Sequence, residues 1–179
     1  WSWFGGRSSS VAAIWNKKIF GGDITLDAHV AVMMQKDEPP YERVGDYNLV
    51  ICGDGVHLDS GYSLIFGGGR NYWTRLYRNG KQVAESTDER AILPSDRIRQ
   101  PDKPQLHQRW FHLKLEKVGN HVSFYRDGYK AFSYTDPEPL KEGRVGFWTV
   151  DNGVLLSRCR IAFDTLKPGP LESRDSALY

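Results

Sequence analysis

The chain has 179 residues, 40% hydrophobic and 26% charged, the composition of one folded domain able to bury a core. Its 24 basic and 22 acidic residues leave a formal charge of +2. There is no block of about five or more like charges, which argues against a nucleic-acid-binding tail, and no apolar stretch of about eighteen residues to span a membrane. The chain begins at Trp1 rather than Met, so we read it as a mature or excised piece of a larger protein.

In chain order, the first expected strand is Val11 to Trp15. Phe20-Gly21-Gly22-Asp23 reads as a turn before a strand from Ile24 to Met33. There Ile24, Leu26, Ala28, Val30 and Val32 alternate with Thr25, Asp27, His29, Ala31 and Met33. That alternation puts Asp27 and His29 on one face, about 7 Å apart. A polar loop runs from Gln35 to Gly45. Strands are expected over Asp46–Cys52 and Tyr62–Phe66, and Gly67-Gly68-Gly69 reads as a bend before Asn71–Arg78. Asn79-Gly80 then turns the chain back along Lys81–Ala84. Residues 86–109 make a long connection, with one helical turn expected near Asp88–Ala91.

The most legible stretch starts at Trp110. Gly119-Asn120 and Asp127-Gly128 are hairpin-turn residues that divide three alternating runs. Counting outward from the first turn sets Leu115 opposite Phe124 and Lys117 opposite Val122. Counting from the second sets Phe124 opposite Ala131. One face then carries Phe111, Leu113, Leu115, Val122, Phe124 and Ala131. The other carries Trp110, His112, Lys114, Glu116, Ser123, Tyr125, Lys130, Phe132 and Tyr134. Strands through Trp148 and from Val154 to Phe163 complete the pattern. The whole predicts an all-β fold, a two-sheet antiparallel β-sandwich of jelly-roll type with about eleven or twelve strands; a closed barrel is the alternative. Residues 1–165 form a single domain, and 166–179 a polar, proline-marked tail.

Trp73-x-Arg75-x-Tyr77 offers a stacking plate, a planar fork of donors and a second ring bearing a hydroxyl, a set suited to a saccharide. Asp27 and His29 are the candidate acid/base pair, and Glu116 a further carboxylate; a glycosidase needs two flanking carboxylates. The five histidines lack metal-ligand spacing. Calcium is the cation the turns suit, either at Gly22, Asp23 and Asp164 or at the loop with Asp54 and Asp59. No G-x-S-x-G supports a serine nucleophile, and the glycine triplet lacks the ending of a phosphate loop. Cys52 and Cys159 are too few for a disulfide scaffold, and Cys159, in phase with Ile161 and Phe163, reads as a buried thiol.

The stretch WFHLKLEKVGNHVSFYRDGYKAFSYTDPEPLKEGRVGFWTV, with FGGDITLDAHVAVM upstream, resembles the concanavalin A-like lectin/glucanase superfamily, in particular its laminin G-like and 3-keto-disaccharide hydrolase-type jelly rolls. The resemblance covers about two thirds of the chain and implies fold more than activity. It implies sugar contacts on a sheet face at Asp27, His29, Asn48, Trp73, Arg75 and Trp148. It also implies a structural calcium between the Gly22 region and Asp164. The Glu-x-Asp-x-x-Glu of family 16 glycoside hydrolases is absent, which removes that retaining mechanism.

The resulting expectation is a non-catalytic domain for oligo- or polysaccharide, belonging to a larger extracellular or periplasmic protein. Tyr77 joins the residues above in the ligand set. A glycan hydrolase or lyase using Asp27 or His29, and a laminin G-like protein-adhesion module, are the alternatives.

Overall fold

The computed structural model describes residues 4–7, 10–32, 46–92, 110–150 and 153–169. The expected strand end at Met33, the loop from Gln35 to Gly45, most of the 86–109 connection and the far end of the tail lie outside the described residues. Among those described there are twelve strands: β1 (Phe4–Arg7), β2 (Val11–Trp15), β3 (Ile19–Val32), β4 (Asn48–Gly53), β5 (Tyr62–Gly67), β6 (Trp73–Arg78), β7 (Lys81–Ser86), β8 (Trp110–Val118), β9 (His121–Arg126), β10 (Tyr129–Thr135), β11 (Glu142–Val150) and β12 (Gly153–Lys167). One helical turn, α1 (Gly68–Asn71), joins β5 to β6.

Every pairing is antiparallel, in the order β10-β9-β8-β3-β11-β4-β5-β6-β7, with β12 also on β3, β1 on β12 and β2 on β11. β11 is the corner. It starts beside β3, with Glu142 opposite Gly21, then continues between β2 and β4 from Gly146. The two halves fold over one core, where Phe66 of β5 meets Phe111 of β8 at 6.0 Å and Phe124 of β9 at 5.8 Å between ring centroids. The alternation in β3 is as expected. Ile24, Leu26, Ala28 and Val30 are buried, while Thr25, Asp27 and His29 turn outward.

The pairing of β8 with β9 follows the turn arithmetic, with Leu115 opposite Phe124 and Lys117 opposite Val122. The next hairpin departs from it. Phe124 faces Phe132 rather than Ala131, because a bulge lies between Lys130 and Phe132. The extra residue reverses the facing of the strand. Phe132 and Tyr134, expected outside, therefore pack against the core, and the Phe132 ring sits 5.7 Å from Phe124.

Three other expectations change. Phe20–Asp23 is not a turn but part of β3, paired with β12 and β11. Gly22, at φ 77°, bends the strand without ending it. The glycine triplet is not a plain bend: Gly67 takes a left-handed conformation and α1 begins at Gly68. Cys159 is exposed rather than buried, since the pairing of β12 shifts between Ser157 and Arg160 and breaks its phase with Ile161. Cys52 is the buried thiol, and both cysteines are free. The turn near Asp88–Ala91 is present, with the Ala91 and Ile92 amides donating to the Asp88 carbonyl. β12 runs on to Lys167, two residues past the expected end of the domain.

Candidate functional site

The fold presents two outward faces, and the candidate residues divide between them. On β11, β4, β5, β6 and β7 the inward positions are occupied by Phe147, Tyr47, Leu49, Leu64, Phe66, Leu76 and Ala84. The intervening side chains must point away from the core. The register then lines up Trp148 with Asn48 on β4, Ile65 with Arg75 on β6, and Arg75 with Glu85 on β7. Leu49 opposite Leu64 makes Asn48 the neighbour of Ile65, so Trp148–Asn48–Ile65–Arg75–Glu85 is one continuous row across five strands. Trp73 and Tyr77 flank Arg75 on the same face. Five residues scattered over a hundred positions of sequence, Asn48, Trp73, Arg75, Tyr77 and Trp148, are thus brought together.

Trp15 belongs with them. It pairs with Gly146 on β11, and its ring lies against Gly146 and Gly53. Sequence reasoning passed over it because β2 is short and its partner unknown; the small residue at 146 was the available signal.

The polar atoms of this face are unevenly satisfied. Arg75 donates to Glu85 Oε2 at 2.6 Å, and its guanidinium stacks on the Trp73 ring at 4.0 Å. Trp73 also presses on α1: a Cβ on Gly68 would sit 2.2 Å from the ring, so glycine is required there. Asn48 is buried, and its carbonyl oxygen accepts the Phe66 amide at 3.2 Å. Asn48 Nδ2 and Trp148 Nε1 are buried with no hydrogen-bond partner among the described residues. Both residues also line an apolar cleft of about 80 Å³ between β2, β11 and β4 on one side and Val30, Val154 and Leu156 on the other.

The second face belongs to β12, β3, β8, β9 and β10. Arg160, Asp27, Lys114, Tyr125 and Lys130 form a row across it. Asp27 Oδ1 lies 2.8 Å from His112 Nε2, and the His112 ring stacks on His29 at 4.8 Å. His29 Nδ1 has no partner among the described residues. Lys114 bonds Glu116 at 2.8 Å and covers the Tyr125 ring at 3.8 Å. Burial raises the Glu116 pKa, but the hydrogen bonds from Lys114 and Tyr125 outweigh it and leave the carboxyl below its usual range. Asp27 and His29 therefore sit across the core from Trp73 and Trp148. The two groups do not share a groove.

Gly22, Asp23 and Asp164 do meet, but one oxygen of each is already engaged within the chain. Asp164 Oδ2 accepts the Asp23 amide at 2.7 Å, Asp23 Oδ1 accepts the Gly119 amide at 2.7 Å, and the Lys117 ammonium donates to the Gly22 carbonyl at 2.6 Å. A cationic side chain already stands on the carbonyl that calcium would use, so this donor set does not fit the ion. In the other loop, Asp54 Oδ1 accepts the Val56 and His57 amides and the Ser60 hydroxyl, and Oδ2 meets His57 Nδ1 at 2.6 Å. That carboxylate is a loop organiser. Among the described residues no three His, Cys, Asp or Glu side chains gather in a way that could hold a metal ion. None of the described helices is long and apolar enough to cross a membrane.

A sequence profile described as Domain of unknown function (DUF6250) matches residues 57–158, more than half of the chain. The chain belongs to the DUF6250 family. The matched span runs from the loop before β5 into β12, and so carries Trp73, Arg75, Tyr77 and Trp148 but not Trp15, Asp27 or Asn48. No curated protein sequence matches the chain.

Solved structures give the fold more broadly. The carbohydrate-binding module CBM66 from Bacillus subtilis is similar at 15% identity and TM-score 0.61, over 89% of this chain and 90% of that one. A Bacillus subtilis protein of unknown function with a galectin-like fold is similar at 16% identity and TM-score 0.63, over 88% and 80%. The exoplasmic/lumenal domain of VIP36, in a Ca2+/Man3GlcNAc-bound form, is similar at 11% identity and TM-score 0.58, over 94% and 86%. At such identities the likeness concerns the fold alone.

Proposed function

We propose that this domain binds an oligo- or polysaccharide on the outer face of β2, β11, β4, β5 and β6, as a lectin-like jelly-roll sandwich within a larger extracellular or periplasmic glycan-processing or surface protein. The observation that carries this reading is the gathering of Trp15, Trp73, Tyr77 and Trp148 with Asn48 and Arg75 on one non-core face. Flat rings stack on the apolar face of a pyranose, while amide and guanidinium donors take its oxygens. The likeness to the carbohydrate-binding module CBM66 and to the Man3GlcNAc-bound form of VIP36 supports it. Trp148 is the stacking plate of choice, since Arg75 already lies on Trp73.

Intrinsic tryptophan fluorescence and affinity electrophoresis against a polysaccharide panel test the reading. At least one polysaccharide is expected to retard the protein, and Trp148→Ala to weaken that binding about tenfold or more with the fold intact by circular dichroism. Unchanged binding in Trp148→Ala, or no ligand across the panel, would overturn it.

A second reading rests on the opposite face, where the Asp27–His112 contact joins a carboxylate to an imidazole within reach of a reacting group. It predicts new reducing ends or unsaturated products from the same panel, lost in Asp27→Asn.

A further inference from the structure

Asn48 and Trp148 are register partners on β4 and β11, and both point to the non-core face. The Asn48 carbonyl oxygen is engaged by the Phe66 amide, which fixes the side chain so that its NH2 group is the end left over. Asn48 is 2% exposed, and neither its Nδ2 nor the Trp148 indole nitrogen has an acceptor among the described residues. Two neighbouring buried donors without an acceptor are costly, and ordinarily such groups are paired. Whatever completes this spot must bring an acceptor oxygen.

The chemistry of the surroundings narrows the acceptor. A hydroxyl would bring a proton needing an acceptor of its own. A carboxylate would bring a charge to two donors that are themselves neutral and buried. The cation in the same row, Arg75, is held by Glu85. A buried charge without a free counter-ion is disfavoured. A neutral carbonyl accepts from both donors and demands nothing in return.

We propose that Asn48 and Trp148 form a subsite for the acetamido carbonyl of an N-acetylated saccharide. This rests on the saccharide-binding reading above and adds the class of sugar. Asn48 Nδ2 and Trp148 Nε1 donate to the carbonyl oxygen.

The test compares three ligands by isothermal titration: an N-acetylglucosamine oligomer, a polyuronate oligomer and an unsubstituted glucan oligomer. The N-acetylated oligomer is expected to bind at least about tenfold tighter than the other two. Trp148→Phe, which keeps a ring but loses the N–H, and Asn48→Asp, which turns the donor into an acceptor, are each expected to remove that preference. Equal or tighter binding of the glucan or polyuronate, or a preference that neither variant moves, overturns the subsite while leaving saccharide binding intact. A readout independent of any sugar is the Trp148 indole 15N–1H resonance titrated with N-methylacetamide. A saturable shift, absent in Asn48→Asp, supports the subsite. No shift, or a resonance already showing a protected hydrogen bond in the free protein, overturns it. Failure of every saccharide together with a saturable N-methylacetamide shift would sink the saccharide reading and keep the carbonyl subsite.

Discussion

Asp136 shows how a single residue can hold distant strands together. Its carboxylate is 1% exposed, yet Tyr62 donates to Oδ2 at 2.6 Å and Arg78 at 2.5 Å, while the Glu138 amide donates to Oδ1. The Tyr62 hydroxyl in turn accepts the Leu140 amide. Burial raises the Asp136 pKa, but the hydrogen bonds from Tyr62, Arg78 and Glu138 outweigh it and hold the carboxyl below the usual range. A carboxyl whose folded pKa is depressed stabilises the protein above its unfolded pKa and loses that contribution as pH falls through the folded one. Unfolding by urea is therefore expected to become easier below about pH 4, with Asp136→Asn flattening the acid limb and costing about 2–4 kcal/mol at neutral pH. An unaltered acid limb in that variant would assign the acid sensitivity elsewhere. Nothing in the sequence marked Asp136, because its partners lie 58 and 74 positions away.

At the scale of elements, the β9–β10 hairpin separates what turn chemistry dictates from what packing dictates. Asp127-Gly128 correctly places the turn, with Asp127 and Gly128 both at positive φ. Regular counting then sets Ala131 opposite Phe124, whereas the strand bulges so that Phe132 takes that place, with Ala131 still packed against the core. Burying a ring against Phe124 gains more apolar contact than burying a methyl, and the bulge costs one unpaired residue. Deleting Ala131 leaves Phe132 opposite Phe124 without a bulge, so it is expected to be milder than Phe132→Ala, which should cost about 1–3 kcal/mol for this partly buried ring. Urea midpoints of the two variants decide it, and a deletion more damaging than the substitution would show that the bulge itself is needed. The Trp110–Val118 strand was the easiest to read. Two successive hairpin turns and a strict alternation point to one register there.

The whole molecule depends on closures between remote segments, and Lys117 makes one of them. It is 4% exposed, occupies a core-facing position of β8 and delivers its ammonium to the Gly22 carbonyl. The family resemblance implied calcium in this neighbourhood, but the basic side chain supplies the positive charge from within the chain. Melting temperature is accordingly expected not to change with EDTA or added calcium. Lys117→Met, which orphans the carbonyl, should cost about 1–3 kcal/mol, or roughly 2–10 °C for a chain of this size. A calcium-dependent rise in melting temperature would restore the ion to that site.

The sequence by itself determined the strand class, most strand positions, the facing of β3, β8 and β9, and the residue types available for a saccharide. These follow from period-two alternation and from turn residues with special backbone angles, which act over a few positions. It named Asn48, Trp73, Arg75, Tyr77 and Trp148 but also grouped Asp27 and His29 with them. Only the tertiary structure separated the two sets, because which strands become neighbours depends on long-range pairing. β11 turns from β3 to β4, and the core then stands between Asp27 and Trp148. The same pairing set Trp148 beside Asn48, leaving two buried donors side by side, a juxtaposition that no local pattern in either strand could specify.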